Sequence, residues 1–431
     1  MNRTLPAILL TAALTAGLAA GCSESPAEPG ASTPAPSTPT GKTAVQFWHS
    51  LGGTNGDYIN AMIKRFNESQ DKVEVTGTFQ GNYDEMVMKL QQAVAAKSGP
   101  DIAMLERAYV QMFADADVLE DLTGFMKKTK LSVDDFPQGL MGHSTFDKKL
   151  VSLPFNRSTP ILHINKTMLD EKGLAIPQTW EELKKVANAL VVKENGEIKR
   201  YGLSMPYDTW YPIAMITQAK GKFFNDNGTS IGFSNGEGAK VFKFLKEMQT
   251  TGALYYPPAQ DSGNIVNQMF TSGKIGMMYQ STGVMGSVKT NAKFDYVTAY
   301  LPKDEVYANP TGGANIALLS GSPNKDAAWT FMNWAMTDPQ GGLAFILDSG
   351  YLPFTKKMVE SQAMKDLWAK DANRKIAYDQ LQYAIDTNKH VTWPQVNQEF
   401  LKAIQAIMYD NKDVDSTLET FKKETERIVK N

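Results

Sequence analysis

After residue 43, short apolar runs alternate with segments whose apolar residues recur at helical spacing. Residues 45–48 predict a strand, and the next apolar side chains lie on one face of a helix, namely Ile59, Met62, Ile63 and Phe66. Residues 73–79 alternate as a second strand, 83–96 follow as a helix, and 100–105 return to a strand. This order predicts an α/β layer with parallel strands.

Polar side chains stand where these strands end. Tyr83 follows the second strand in the run Gly81-Asn82-Tyr83, and Glu106 closes the third strand. Ligands of open α/β sheets bind beyond the carboxyl ends of the strands. We therefore predict that Tyr83 and Glu106 belong to a binding site. The alternative for Tyr83 is a half-buried aromatic residue of the core.

A stiff crossing is predicted midway along the chain, between Pro154 and Pro160. Residues 156–159 are polar, and the apolar run that follows has the β-branching of a buried strand. Proline fixes its own φ and holds the preceding residue extended, so the segment predicts a polar turn from one packed unit into another. We expect a cleft there. The alternative is an ordinary loop before an ordinary strand.

Further elements follow the crossing. A capping box at Thr179 and Glu182 opens a helix, and a buried strand ends near Ser281. A second glycine-flanked strand begins after Thr311. Trp210 lies in a weakly patterned aromatic stretch, where its ring either stacks on a ligand or fills the core.

The N-terminus has the pattern of an exported lipoprotein. Residues 1–21 read as a signal peptide, with Arg3 before a short apolar stretch and small residues at the end. Cys22, the one cysteine, follows Leu18-Ala19-Ala20-Gly21, which resembles a lipobox, so we predict its lipidation. The alternative is a plain signal peptide cut nearby. Residues 22–43 are rich in Pro, Ser and Thr and predict a disordered tether.

Composition narrows the function classes. With 431 residues, 42% of them hydrophobic, the chain suits two domains. Its net charge of −2 and dispersed basic residues argue against nucleic acid. The four histidines lack metal-ligand spacing, and no phosphate-loop, dinucleotide or serine-hydrolase motif occurs, so we predict no metal and no cofactor.

An ordered set of short motifs resembles the solute-binding proteins of bacterial ABC importers for carbohydrates. The similarity is closest to the branch that binds glycerol phosphate. It spans nearly the whole mature chain and is carried by Phe47-Trp48-His49-Ser50, Gly81-Asn82-Tyr83, Pro154-Phe155-Asn156, Ser158-Thr159-Pro160, Asn165-Lys166, Gly312-Gly313-Ala314 and Ser349-Gly350-Tyr351-Leu352-Pro353.

The resemblance implies an α/β fold of two lobes, each built from separated stretches of chain and joined by a hinge. Lobe 1 would comprise residues 44–157 and 300–348, and lobe 2 residues 158–299 and 349–431. A solute would bind between the lobes, which would close on it and dock on the permease. The expected protein is a non-enzymatic monomer whose partners are a small solute and membrane-bound permease subunits.

The resemblance also implies which residues contact the solute. The contacts of the glycerol-phosphate branch match Tyr83, Glu106, Ser158, Ser281, Gly313 and Tyr351. That branch has a phosphate-binding arginine after Trp393-Pro394-Gln395-Val396, where this chain has Asn397, and an amide lacks the charged bidentate grip of arginine. Arg107 or Arg157 is the alternative source of positive charge, unless these arginines are solvated or paired with nearby acids. Without one, the site suits a neutral sugar, a polyol or a larger glycerophosphodiester.

Two other functions remain open from the sequence. A secreted carbohydrate-active hydrolase would use Glu106 together with Asp84 or Glu85, because such enzymes work with paired carboxylates. A chemoreceptor-type sensor would use the same cleft without transport.

Overall fold

The computed structural model describes residues 41–233 and 235–430. The predicted signal peptide, Cys22 and nearly all of the tether lie outside this part of the chain. None of the helices described is long and apolar enough to span a membrane.

The strands and helices alternate along the described residues. The strands are β1 (Thr43–His49), β2 (Val73–Phe79), β3 (Ile102–Glu106), β4 (Thr145–Phe146), β5 (Lys149–Leu150), β6 (Leu153–Ser158), β7 (Pro160–Asn165), β8 (Val192–Glu194), β9 (Glu197–Ser204), β10 (Leu254–Tyr255), β11 (Ile275–Ser281), β12 (Tyr296–Ala299), β13 (Asn309–Pro310), β14 (Gly312–Leu318) and β15 (Ala384–Ile385). The helices are α1 (Gly53–Ser69), α2 (Tyr83–Ala95), α3 (Val110–Asp115), α4 (Thr123–Thr129), α5 (Lys166–Asp170), α6 (Trp180–Leu190), α7 (Trp210–Gln218), α8 (Glu237–Thr251), α9 (Ser262–Thr271), α10 (Met285–Asn291), α11 (Lys325–Thr337), α12 (Ala344–Asp348), α13 (Lys356–Glu360), α14 (Gln362–Lys370), α15 (Ala372–Asp379), α16 (Trp393–Met408) and α17 (Val414–Lys430).

Two mixed sheets organise the fold. The first has the order β2-β1-β3-β14-β6, and the second has the order β10-β9-β11-β7-β12 with β8 beside β9. In the first sheet β1 pairs in parallel with β2 and β3, as the sequence predicted, whereas β14 runs antiparallel to β3 and β6. The parallel strands of each sheet therefore have their carboxyl ends at one edge, where side chains can converge.

The crossing between the sheets is shorter than the polar turn that the sequence predicts. β6 belongs to the first sheet and β7 to the second, and Thr159 alone separates them. Asn156 and Arg157 lie inside β6 and are buried, so the prediction of a turn there is wrong. Their polar groups are satisfied within the protein, which lets a strand form where the pattern indicates a turn.

Aromatic packing holds the first sheet to its helices. Phe331 of α11 lies 5.7 Å from Phe47 of β1 and 5.1 Å from Phe66 of α1, measured between ring centroids. Phe155 of β6 packs on Phe354 at 5.5 Å. Phe354, Met358 and Met364 thus share the core of β1, although they follow residue 349. The predicted lobe boundaries stay a prediction.

Candidate functional site

A cavity of about 540 Å³ lies where strands of both sheets end. From the first sheet, Glu106 ends β3 and Tyr83 begins α2 just after β2; from the second, Ser281 ends β11. Every predicted contact except Arg157 lines this one cavity, namely Tyr83, Glu106, Ser158, Trp210, Ser281, Gly313, Tyr351 and Asn397. That these residues bind a ligand stays a prediction.

Glu106 presents a carboxylate that the backbone holds in place. Its Oε2 accepts a hydrogen bond from the amide N–H of Ala108 at 2.8 Å, which caps a 3₁₀ turn at Arg107–Tyr109. Its Oε1 lies 3.9 Å from Nε of Arg107. Burial raises the pKa of Glu106, and Arg107 partly opposes that shift. One oxygen of this carboxylate is therefore positioned as a hydrogen-bond acceptor.

Tyr83 and Tyr351 present phenol groups to the cavity. Asn156 donates from Nδ2 to the hydroxyl of Tyr83 at 2.9 Å, while its Oδ1 accepts from the amide of Ala314 at 3.2 Å. The ring of Tyr351 stacks on Phe345 with centroids 5.7 Å apart. Burial raises the pKa of Tyr83 well above its usual value and that of Tyr351 to about 12. Both hydroxyls therefore keep their protons at neutral pH and can donate.

The glycine pair at the start of β14 allows close packing in the cavity wall. A Cβ atom at Gly312 would lie 2.5 Å from the ring of Trp210, whose indole N–H donates to the carbonyl of Pro310 at 3.0 Å. Gly313 has a φ of +79°, and a Cβ there would lie 2.0 Å from the carbonyl oxygen of Asn156. Trp210 thus lines the cavity, donates to β13 and packs on β14.

Ser158, Ser281 and Asn397 supply smaller polar groups. Ser158 pairs with Gly312 across the first sheet, and Ser281 accepts a hydrogen bond from the amide of Gly283 at 3.1 Å. The side-chain oxygen of Asn397 accepts from the hydroxyl of Thr209 at 2.7 Å. Its remaining group is an amide NH₂, which can donate but carries no charge.

Arg157 lies beneath the cavity wall and does not line the cavity. Its side chain is 1% exposed. The guanidinium donates to Gly312 O at 2.9 Å, to Leu140 O at 3.0 Å, to Asn315 Oδ1 at 3.0 Å and to Thr311 Oγ1 at 2.6 Å. Burial lowers its pKa to about 9, so it remains charged at neutral pH. Its donors are directed to Leu140 and to residues 311–315 at the start of β14.

Arg107 reaches the cavity but is also occupied by protein groups. It donates to the carbonyls of Thr311 and, at 2.9 Å, Thr387, and it lies 3.8 Å from Asp386. Asp386 is 2.9 Å from Nδ1 of His143. Burial and Arg107 lower the pKa of His143 to about 4, so this histidine is neutral at pH 7. Arg107 therefore lies between two carboxylates, those of Glu106 and Asp386, at nearly equal distances.

Sequence reasoning missed Asp208 and considered Asp84 only as a partner in hydrolysis. Both line the cavity. Asp84 accepts a hydrogen bond from the hydroxyl of Tyr109, and Asp208 accepts from the amide of Trp210 at 2.9 Å. Asp208 follows β9 just as Glu106 ends β3. The rule of strand ends would have found it if residues 201–215 had been interpreted as a strand followed by a helix.

We expect Asp208→Asn to raise the stability of the empty protein at neutral pH. Asp208 lines the cavity and is exposed, and partial desolvation of its carboxyl there raises the pKa to about 6. A raised carboxyl pKa means that stability falls as pH rises from about 4 through about 6. After discounting for screening, the gain at pH 7.5 is about 1 kcal/mol. Urea unfolding at pH 7.5 and pH 4.5 checks this, since the gain should nearly vanish at the lower pH.

Residues 61–375 match the model of a protein family, the bacterial extracellular solute-binding proteins. The chain is 24% identical over 363 residues to a glycerol-3-phosphate-binding periplasmic protein of Pectobacterium atrosepticum, covering 79% of each chain. It is 27% identical over 336 residues to a maltotriose-binding protein of Pyrococcus abyssi, covering 76% of this chain and 70% of the other.

Solved structures agree with the fold. The GacH receptor of Streptomyces glaucescens, solved with acarbose, has a TM-score of 0.81 at 20% identity. UgpB of Mycobacterium tuberculosis, solved with glycerophosphocholine, has a TM-score of 0.81 at 22% identity. Each match covers 90% of this chain and 99% of the other. They confirm the predicted two-lobe α/β fold.

Proposed function

Because the chain belongs to the family of bacterial extracellular solute-binding proteins, we propose that it captures a carbohydrate or polyol for an ABC importer. The observation that carries this proposal is the single cavity that collects the predicted contact residues from both sheets. Its walls combine phenols, an indole, hydroxyls and a carboxylate, which suit a ligand with apolar ring faces and many hydroxyl groups.

Charge argues against a phosphate monoester as the ligand. Arg157 is directed away from the cavity, Arg107 lies between the carboxylates of Glu106 and Asp386, and Asn397 is uncharged. Asp84, Glu106 and Asp208 all line the cavity and would repel a phosphate dianion. The known relatives include both glycerol-phosphate and maltotriose binders. The negative charge of this cavity suits a neutral ligand, as in the maltotriose binder, better than an anionic one.

The arrangement of the two sheets supports a transport cycle in which the lobes close on the solute. Lobe 1 is built on the first sheet from residues 44–157 and 300–348, and lobe 2 on the second sheet from residues 158–299 and most of 349–431. Phe354, Met358 and Met364 pack with lobe 1, and the lobes rotate about the crossings between them. Ligand hydroxyls that reach both lobes stabilise the closed form, which docks on the permease. Lipid on Cys22 holds the monomeric protein at the outer face of the cell membrane, at the end of the tether.

The test is calorimetric titration of the purified mature protein with neutral mono- and disaccharides, glycerophosphocholine and glycerol 3-phosphate. We expect a neutral saccharide to bind and glycerol 3-phosphate to fail. Glu106→Gln should weaken saccharide binding by about 10- to 100-fold, because it replaces a charged acceptor by a neutral one. The control is Asp326→Asn, whose side chain is 86% exposed.

Two results would contradict the proposal. Tighter binding of glycerol 3-phosphate than of any saccharide would show that the cavity accepts an anion despite its carboxylates. Turnover of a glycoside that disappears in Glu106→Gln would assign the protein to the hydrolases instead.

A further inference from the structure

The cavity contains more negative charge than its positive charge balances. Asp84 and Glu106 reach it from the first sheet, and Asp208 reaches it from the second. Arg107 is the one cationic side chain lining it among the residues described, and Asp386 lies 3.8 Å from that guanidinium. Closure of the two lobes around this cavity therefore brings like charges together.

Each of these carboxylates is held by one oxygen, and the other oxygen of Glu106 lies 3.9 Å from Arg107. Asp84 accepts from the hydroxyl of Tyr109, Glu106 from the amide of Ala108, and Asp208 from the amide of Trp210. The second oxygens of Asp84 and Asp208 accept no hydrogen bond from any described side chain. Ionised carboxylates accept hydrogen bonds only, so a ligand that enters the cavity meets acceptors at these two residues.

Aromatic rings complete the surroundings. Tyr109, Tyr207, Trp210 and Trp393 all line the cavity. The faces of such rings attract cations as well as the apolar faces of sugar rings.

We propose that the preferred ligand is a carbohydrate or polyol that carries a protonated amine, which the carboxylates of Asp84, Glu106 and Asp208 bind. This inference rests on the proposed function and specifies its ligand class. An ammonium group supplies three hydrogen-bond donors and one positive charge, so it can donate to the carboxylate oxygens and also balance their negative charge. A hydroxyl group can donate to the same oxygens but carries no charge.

The experiment compares three disaccharides of similar shape on the mature protein: cellobiose, the fully deacetylated chitobiose and diacetylchitobiose. Deacetylated chitobiose carries amines, whereas the other two are neutral. At a pH where the amines are protonated, we expect it to bind at least about 10-fold tighter than either neutral sugar. Asp84→Asn and Asp208→Asn should each remove a large part of this advantage, whereas Asp326→Asn should leave it unchanged.

Each other outcome overturns the inference in a distinct way. If cellobiose binds as tightly as the amine sugar, the carboxylates bind hydroxyl groups only, and the proposed carbohydrate function stands. If the amine advantage survives in both variants, it comes from the overall charge of the protein and not from this cavity. If none of the sugars in either panel binds, the proposed function fails together with the inference.

Discussion

Gly313→Ala should lower the free energy of unfolding by about 2–4 kcal/mol and abolish most ligand binding. The φ of +79° already disfavours any side chain, and the new Cβ would lie 2.0 Å from the carbonyl oxygen of Asn156. The strand would have to shift at the position where β14 pairs with β6, which also moves Ser158 and Trp210. Urea unfolding and calorimetric titration measure the two effects.

The matched control is Gly124→Ala in α4. A Cβ there meets no atom within 4 Å, and alanine favours a helix over glycine by about 0.5–1 kcal/mol. We expect this variant to be at least as stable as the parent and to bind normally. Equal stability of the two variants would contradict the view that β14 needs the left-handed backbone at residue 313.

Arg157→Met should destabilise the empty protein by about 3–5 kcal/mol. The substitution leaves the carbonyls of Gly312 and Leu140 and the side chains of Asn315 and Thr311 without their donor. Buried acceptors that lose a charged partner retain their full desolvation cost. Chemical unfolding without ligand measures this loss. Arg427→Met, at a side chain that is 63% exposed, should change stability by less than about 0.5 kcal/mol.

The same variant separates two roles for Arg157. A structural arginine predicts a loss of stability that does not depend on the charge of the ligand. An arginine that binds ligand phosphate predicts a stable variant that has lost affinity for anionic ligands only. The second result would contradict the placement of Arg157 beneath the cavity wall.

The position of the site could be predicted because it follows from a local rule. Parallel strands that alternate with helices bring their carboxyl ends to one edge, so Tyr83 and Glu106 could be identified from periodicity alone. Ser158, Ser281, Gly313 and Tyr351 needed the family resemblance, because a turn serine or a strand glycine has many local explanations.

The role of Arg157 could not be predicted, because its partners are distant in the chain. The groups that it contacts on Gly312, Asn315 and Thr311 are 154 to 158 residues away in sequence. The same limit explains the wrong turn at residues 156–160. A polar strand residue whose partners come from elsewhere has the same pattern as a polar loop residue.

The single residue between β6 and β7 limits how the two sheets can move. Thr159 contributes only two soft backbone dihedral angles, and its carbonyl accepts a hydrogen bond from the amide of Thr282 at 3.0 Å. Any relative rotation of the two sheets at this crossing must therefore occur about the backbone dihedral angles of Thr159 and its immediate neighbours. Lengthening this connection by one or two glycines should leave both sheets folded and loosen one of the crossings between them.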